Sequence, residues 1–310
     1  MSTAALASHT ALVYDGVDQF AARVSAYLEE GVSREERVLA VVPLAKHDRL
    51  RDELGAAAGA VDFVDAADGY RPQWNVFRAV LDSLAQAPGR RLRVVAEQDL
   101  AARTPAEVVD YQRLEAAANV VFRDHPLTLL CPYDAGSLPR PLVDIGRQTH
   151  DFVLDDRGRR PNEDFADPAT VLLGLATVTP PPARALTLTC DRSADLAQAR
   201  RLVRDHGARA GLDPDAVDDV TLAVTEILTN ALTHGQPPRR LHLYDAGATW
   251  ICHVHDGGLG PDDPFAGFAP PATPSDHGYG LWLARQLCDA VDVGVDATGT
   301  HVRLHTRHRR

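Results

Sequence analysis

The chain has 310 residues, enough for two domains that each bury a core, which excludes a single small module. Hydrophobic residues make up 45% and charged residues 24%, a globular composition that excludes a wholly disordered or fibrous chain. Against 32 basic side chains stand 43 acidic ones, and the formal charge of -11 repels phosphate backbones and anionic lipid, so neither nucleic acid nor membrane is expected as a partner.

The first half alternates β-rich runs (11–14, 38–42, 61–64, 92–96, 127–131) with helical patterns. Such alternation predicts a parallel sheet with crossover helices, the run at 61–64 being the shortest. The clearest helix spans 104–122, where Thr104-Pro105-Ala106-Glu107 forms a capping box with proline at the first helical position. Four cysteines (Cys131, Cys190, Cys252, Cys288) are scattered without a Cys-x-x-Cys pair. They read as buried free thiols of a reducing compartment, and neither a disulfide framework nor a finger-type zinc site is suggested. Residues 1–10 lack a cationic start and an apolar run, and 18 uninterrupted apolar residues occur nowhere, so the expected location is the cytoplasm.

From Asp155 to Pro182 the periodicity fades into a polar, proline-rich stretch ending in Pro180-Pro181-Pro182. The expected organisation is one domain over 1–155, a linker over 156–182 and a second domain over 183–310. The second domain reads as a strand (185–189), a helix (193–210), a second helix, strands at 241–244 and 250–255, a further helix and a strand at 302–304. That layout suggests helices on one face of a mixed sheet.

The second of those helices opens with Asp213 as N-cap and Pro214 in its first turn, and Gly235 closes it. Val217, Val220, Val224, Ile227, Leu228 and Ala231 form its apolar stripe, while Glu226 and Asn230, four apart, project together from a neighbouring face. Asn230 offers a neutral oxygen suited to Mg²⁺, and Glu226 a carboxylate able to polarise a hydroxyl beside it; the pair alone equally fits a solvated polar face.

The strand at 250–255 ends in Asp256-Gly257-Gly258-Leu259-Gly260, an acid at a strand terminus followed by glycines that let a ligand approach the backbone. Asp256 can accept from an exocyclic amine. After a proline-rich loop, Asp276-His277-Gly278-Tyr279-Gly280-Leu281 opens a helix whose free N–H groups suit phosphate. Thr298-Gly299-Thr300 then turns into the last strand.

In this order and spacing the four segments resemble the N, G1, G2 and G3 boxes of the GHKL ATPases, from about residue 183 to the C-terminus. Within that group the segment is most similar to bacterial anti-sigma-factor serine kinases: the loop from Gly260 to Gly278 is short, and no helical hairpin with a phosphoacceptor histidine precedes it. His150 lies before the linker but no long heptad pair surrounds it, against a sensor histidine kinase. The resemblance implies a Bergerat α/β sandwich binding ATP and Mg²⁺. Glu226 would be the general base, Asn230 the metal ligand, Asp256 the adenine partner and Thr300 a helper near the base. Gly258, Gly260, Gly278, Gly280 and Leu281 would shape the nucleotide site. Tyr279 stands where many relatives carry arginine.

The first half resembles the MEDS sensory domain that precedes such kinases in actinobacteria, through His9-Thr10-Ala11-Leu12-Val13-Tyr14, Tyr111-Gln112-Arg113-Leu114-Glu115 and Leu130-Cys131-Pro132-Tyr133-Asp134. The resemblance implies a RecA-like α/β fold and a small-molecule signal. Where a phosphate loop would follow the strand at 38–42, Pro43-Leu44-Ala45-Lys46-His47 lacks the necessary glycines, so no ATP site is expected there. Glu97, at a strand end, either lines a small-molecule pocket or is a solvated acid.

His253 and His255 share one strand face, opposite Asp256, and with His301, His305 and His308 are expected to be structural or interfacial. The terminal arginines Arg307, Arg309 and Arg310 read as a solvated tail. The function these readings imply is a cytoplasmic regulator of an alternative sigma factor, binding Mg·ATP and phosphorylating a serine of an anti-anti-sigma (STAS) partner. A non-catalytic ATP-binding sensor or partner-sequestering module is the alternative, and a homodimer is left open.

Overall fold

The computed structural model describes residues 7–271 and 279–308. Two compact units emerge: the chain up to Arg103 with Tyr111–Val171, and Thr104–Asp110 with the chain from Leu172 onward.

In order, the N-terminal elements are β1 (Ser8–Tyr14), α1 (Gly16–Ser33), β2 (Arg37–Val42), α2 (His47–Leu54), β3 (Val61–Asp65), α3 (Ala66–Gly69), α4 (Asn75–Gln86) and β4 (Leu92–Ala96). They continue with α5 (Pro105–Val121), β5 (Leu127–Asp134), α6 (Arg140–Thr149), β6 (Phe152–Asp155) and β7 (Gly158–Pro161). The strands form one sheet in the order β3-β2-β4-β5-β1-β6-β7, parallel except for β7. The central strands are mostly apolar and buried because helices cover a parallel sheet on both faces, and β4 is buried at every position, Arg93 included. Leu12, Tyr14, Val38, Ala40, Val42 and Val95 pack with Phe20, Val24 and Leu28 of α1. The run at 61–64 is short because β3 lies at the sheet edge, where three of its five residues are only half buried.

The capping box of α5 forms as expected: Thr104 Oγ1 accepts from the Glu107 N–H at 3.3 Å, and Glu107 Oε2 accepts from the Thr104 N–H at 2.9 Å. Two strands beyond the expected set appear: β6, at the end of the expected first domain, and β7, in the polar stretch expected to be linker. Asp156 and Arg157 join β6 and β7, with Gly158 at φ +88°, and the hairpin extends the first sheet. Four-residue strands carry too little alternation to stand out from such a sequence. Further along the same stretch lies α7 (Pro168–Gly174).

The C-terminal elements are β8 (Leu186–Thr189), α8 (Leu196–Arg209), α9 (Pro214–Thr233), β9 (Arg240–Asp245), β10 (Thr249–Asp256), α10 (Tyr279–Leu287), β11 (Ala290–Asp296) and β12 (Gly299–Arg307). The sheet order is β11-β12-β10-β9-β8 and every pairing is antiparallel, not mixed as expected. The reason is local: β9–β10 and β11–β12 are tight hairpins, and β11 went unread although its Val291, Val293 and Val295 alternate with Asp292, Gly294 and Asp296. Trp250, Cys252 and Val254 on β10 and Val302 and Leu304 on β12 meet Val203 of α8, the Val217–Ala231 stripe of α9, Ala284 of α10 and Cys288 just after it. Burial pushes the Cys252 and Cys288 thiols well above their ordinary pKa, so they serve as packing. Among the described residues no helix is long and apolar enough to cross a membrane.

The opposite face of this sheet carries His242, His253, His255, His301 and His305, all buried. His253 Nε2 lies 3.0 Å from His301 Nδ1, and the His255 and His301 rings stack with centroids 4.4 Å apart. Burial and then neighbouring histidines depress their basicity: His242 falls to about 4 through burial and His255, His253 to about 3 through burial and His301, and His301 is also lowered. These groups fold neutral from an unfolded reference near 6.5. Their contribution is complete above that value and is lost as pH falls towards 4 and 3, because the unfolded chain takes up the protons first. Denaturant unfolding should therefore show stability declining as pH drops below about 6.5, with a shallower decline in His253→Phe. An unchanged slope in that variant would remove His253 from the titration.

Candidate functional site

The site forms around the C-terminal end of α9, the ends of β10 and β12, and the start of α10. At the N-terminus of α9, Asp213 Oδ1 accepts from the Asp215 N–H at 3.0 Å and Pro214 occupies the first turn, as expected from sequence. At its C-terminus the His234 and Gly235 N–H groups return to the Asn230 and Ala231 carbonyls. Arg239 completes this end: its Nε donates to the Ala231 carbonyl at 2.6 Å and its Nη2 to the Gly235 carbonyl at 2.8 Å. The guanidinium adds a second donor to the Ala231 carbonyl, ties it to Gly235 just beyond the helix, and lies at the negative end of the helix dipole.

Alternation along β10 sends Trp250, Cys252 and Val254 into the helix-side core, so Asp256 ends the strand on that same side. Asp256 is only 7% exposed. Oδ1 accepts from the Gly258 N–H at 2.7 Å and more distantly from the Gln236 N–H at 3.4 Å, and among the described residues Oδ2 has no partner. The β10–β12 register sets Asp256 opposite Thr300, whose Oγ1 donates to the Gly258 carbonyl at 3.0 Å. Strand end, glycine turn and β12 are thereby tied together around one carboxylate.

Glycines make the tie possible. Gly260 has φ +76°, and a side chain there would meet Val295 Cγ2 at 2.5 Å. A Cβ on Gly280 would sit 2.5 Å from Asn230 Nδ2, so the α10 backbone rests directly on the Asn230 carboxamide. A Cβ on Gly235 would overlap the Asp256 carboxylate and approach the Ala231 carbonyl to 2.7 Å.

A cavity of about 290 Å³ lies between these groups. Asn230, Asp256, Gly258, Gly260, Leu281 and Thr300 line it together, over an apolar floor of Ile227, Ala231, Val293 and Val302. Gly280 adjoins it through Asn230. Glu226, one turn before Asn230 on α9, is half buried and is not part of the lining. Gly278 lies outside the described residues. Tyr279, 38% exposed, begins α10 with its ring edge-on to Trp282. His234 and Gly235 line the cavity without having been singled out as binding residues. The signal was present, since both directly follow the helix that carries Asn230, but Gly235 was read only as a helix terminator.

The chemistry of this donor set suits a nucleotide with its metal. A buried carboxylate with one free oxygen can accept from an amine, apolar side chains offer faces to a heterocycle, and the Asn230 oxygen is a neutral ligand for a hard cation.

In the N-terminal unit, Glu97 is neither solvated nor unpartnered. Lys46 Nζ contacts its two oxygens at 2.6 and 2.8 Å, and the Tyr14 hydroxyl donates to it at 2.5 Å. Burial raises the Glu97 pKa while Lys46 opposes the rise. Lys46 thus fills the strand-end position with an internal ion pair.

Comparison with known proteins agrees with this division. Residues 8–151 match the family model "MEDS: MEthanogen/methylotroph, DcmR Sensory domain", and residues 191–306 match "Histidine kinase-like ATPase domain". The protein thus belongs to the class that joins a sensory α/β domain to a histidine kinase-like ATPase domain. In particular, it is a MEDS domain followed by a GHKL-type ATPase domain, a RecA-like parallel sheet and then an α/β sandwich. Among solved structures it is similar to the RsbU and RsbW domains of Rv1364c from Mycobacterium tuberculosis, at 23% identity with a TM-score of 0.32. That match covers 42% of this chain and 34% of the other, about a third of its length. No curated protein matches the chain.

The close fit at Gly235 yields a structural prediction. Gly235→Ala places a methyl against the Asp256 carboxylate and should destabilise the C-terminal unit by about 1–3 kcal/mol. Chemical denaturation checks this; unchanged stability would show that the loop after α9 yields freely.

Proposed function

We propose that the chain is a cytoplasmic regulator of the anti-sigma-factor type, whose C-terminal domain binds Mg·ATP and phosphorylates a serine of an anti-anti-sigma (STAS) partner. The observation that carries the reading is the convergence of Asn230, Asp256, Thr300 and the glycines on one cavity of a histidine kinase-like ATPase domain. Asp256 Oδ2 accepts from the adenine amine, and the apolar floor takes the purine. Asn230 would hold Mg²⁺, which would neutralise charge on the phosphates, and the positive end of the α10 dipole would favour those anions. Phosphoryl transfer needs positioning and charge neutralisation more than covalent chemistry, which such a site supplies. Glu226 orients and deprotonates the attacking serine hydroxyl; its place beyond the cavity lining leaves the nucleotide and the partner's serine separate positions. The N-terminal domain responds to a small-molecule signal, and an alternative sigma factor is the second protein partner.

A non-catalytic ATP-binding module is the second reading, favoured by one observation: Tyr279 opens α10 where many relatives place arginine. Both readings require nucleotide binding. Asn230→Ala should abolish Mg-dependent ATP binding while the fold survives, since that side chain lies off the apolar stripe; unchanged affinity by calorimetry would remove the metal-ligand role. Asp256→Asn should weaken the preference for ATP over GTP, whose carbonyl oxygen faces the carboxylate unfavourably. Equal affinity of the wild type for both nucleotides would count against that contact.

Glu226→Gln separates the readings. In a serine kinase it should still bind Mg·ATP and partner yet transfer phosphate about 10²- to 10⁴-fold more slowly. A wild-type chain that binds ATP but labels no serine-bearing STAS partner leaves the binding module.

A further inference from the structure

The N-terminal unit contains a second cluster, unrelated to the nucleotide cavity. His9 on β1, Cys131 on β5, Glu115 on α5 and His150 just after α6 meet in the interior, and each is at least nine-tenths buried. Their ligand atoms all lie within 4.8 Å of one another. His9 Nε2 and His150 Nε2 stand 3.1 and 3.2 Å from the same carboxylate oxygen, Glu115 Oε2, and Cys131 Sγ is 3.4 Å from His9 Nε2.

The outer hydrogen bonds fix what these atoms present to each other. His150 Nδ1 is 2.9 Å from the Gly146 carbonyl, which can only accept, so Nδ1 carries the proton and Nε2 the lone pair. Asn119 spends its amide nitrogen on the carbonyls of Glu115, Ala116 and Thr149, which leaves Oδ1 to accept from His9 Nδ1 at 3.2 Å. In the neutral ring, His9 Nε2 then also carries a lone pair. With both rings neutral, the centre of the cluster is a gathering of acceptors and one thiol, with no proton on either Nε2 to bridge to Glu115 Oε2. Burying acceptors against each other is costly unless a cation lies between them.

We propose that His9, Glu115, Cys131 and His150 form a mononuclear site for a divalent transition metal of borderline softness, with zinc the best fit. Ligand atoms around tetrahedral zinc lie roughly 3.3–3.8 Å apart, close to the separations above. A carboxylate and a thiolate neutralise the 2+ charge, as a buried site requires, and binding releases the Cys131 proton to solvent. The carbonyl and carboxamide behind the two imidazoles are the outer partners that orient metal-bound histidines. A cavity of about 500 Å³, lined by His9, Asn119 and Asp151 among others, adjoins the cluster and offers an entry path. This site stands apart from the proposed kinase activity.

The test uses the untagged full chain, incubated with Zn²⁺ alone, or with Co²⁺ alone, and passed through gel filtration. Roughly one zinc per chain should remain, and the cobalt form should show tetrahedral visible bands with a thiolate-to-metal charge-transfer band in the near ultraviolet. Cys131→Ser should lose the charge-transfer band. Asn119→Ala, outside the ligand set, should weaken metal affinity roughly 10- to 100-fold, which keeps the test open if the cysteine variant fails to fold. A folded wild-type chain that retains neither metal would mean that a shared proton holds the cluster together, overturning the proposal. Cobalt bound without a thiolate band, or with one unchanged in Cys131→Ser, would place the metal elsewhere and overturn it equally.

Discussion

The C-terminal site depends on holding one carboxylate still at the end of a strand. Asp256 is buried, and an unpartnered buried carboxylate would be costly, so the Gly258 and Gln236 N–H groups converge on Oδ1. The surrounding geometry follows from that arrangement. The turn after β10 must fold back closely enough to bring Gly258 within reach, Thr300 on β12 holds the turn through the Gly258 carbonyl, and the chain leaving α9 must bring Gln236 alongside. Glycines occur where backbone meets carboxylate or carboxamide, at 235, 258 and 280.

Arg239 has a matching role one layer away. By bridging the Ala231 carbonyl of α9 and the Gly235 carbonyl just beyond it, Arg239 ties down the chain as it leaves the helix, and hence where His234, Gly235 and Gln236 lie relative to Asp256. Asn230 is placed by the same helix, and α10 rests on it through a glycine. The cavity is therefore shaped by backbone groups and short polar side chains on rigid elements, with an apolar floor supplied by the hydrophobic core itself.

Much of this was legible in the sequence for local reasons. Caps, strand alternation and glycine clusters are short-range signals, and they placed α5, α9, β10 and the order of the site segments. The all-antiparallel sheet was not legible, since pairing direction depends on hairpins whose second strand, β11, went unread. β7 was concealed by polar composition in the stretch expected to be linker, and β6, just before that stretch, is too short to show alternation. Gly235 was visible as a helix terminator, but its contact with Asp256, twenty-one residues on, is a property of the folded chain. The cluster of His9, Glu115, Cys131 and His150 was wholly out of reach of spacing arguments. Its members come from two strands, the middle of α5 and the residue after α6, and although three of them stand in the segments that carry the MEDS resemblance, nothing in their spacing brings them together.

The central claim is that Asp256 and Asn230 hold the two ends of one Mg·nucleotide. A crystal structure of the chain with Mg²⁺ and a non-hydrolysable ATP analogue tests it most directly. The adenine amine should lie within hydrogen-bond distance of Asp256 Oδ2, with the metal on Asn230 Oδ1 and the purine on Ile227, Ala231 and Val302. A nucleotide seated elsewhere, or one whose adenine does not meet Asp256, would contradict the claim.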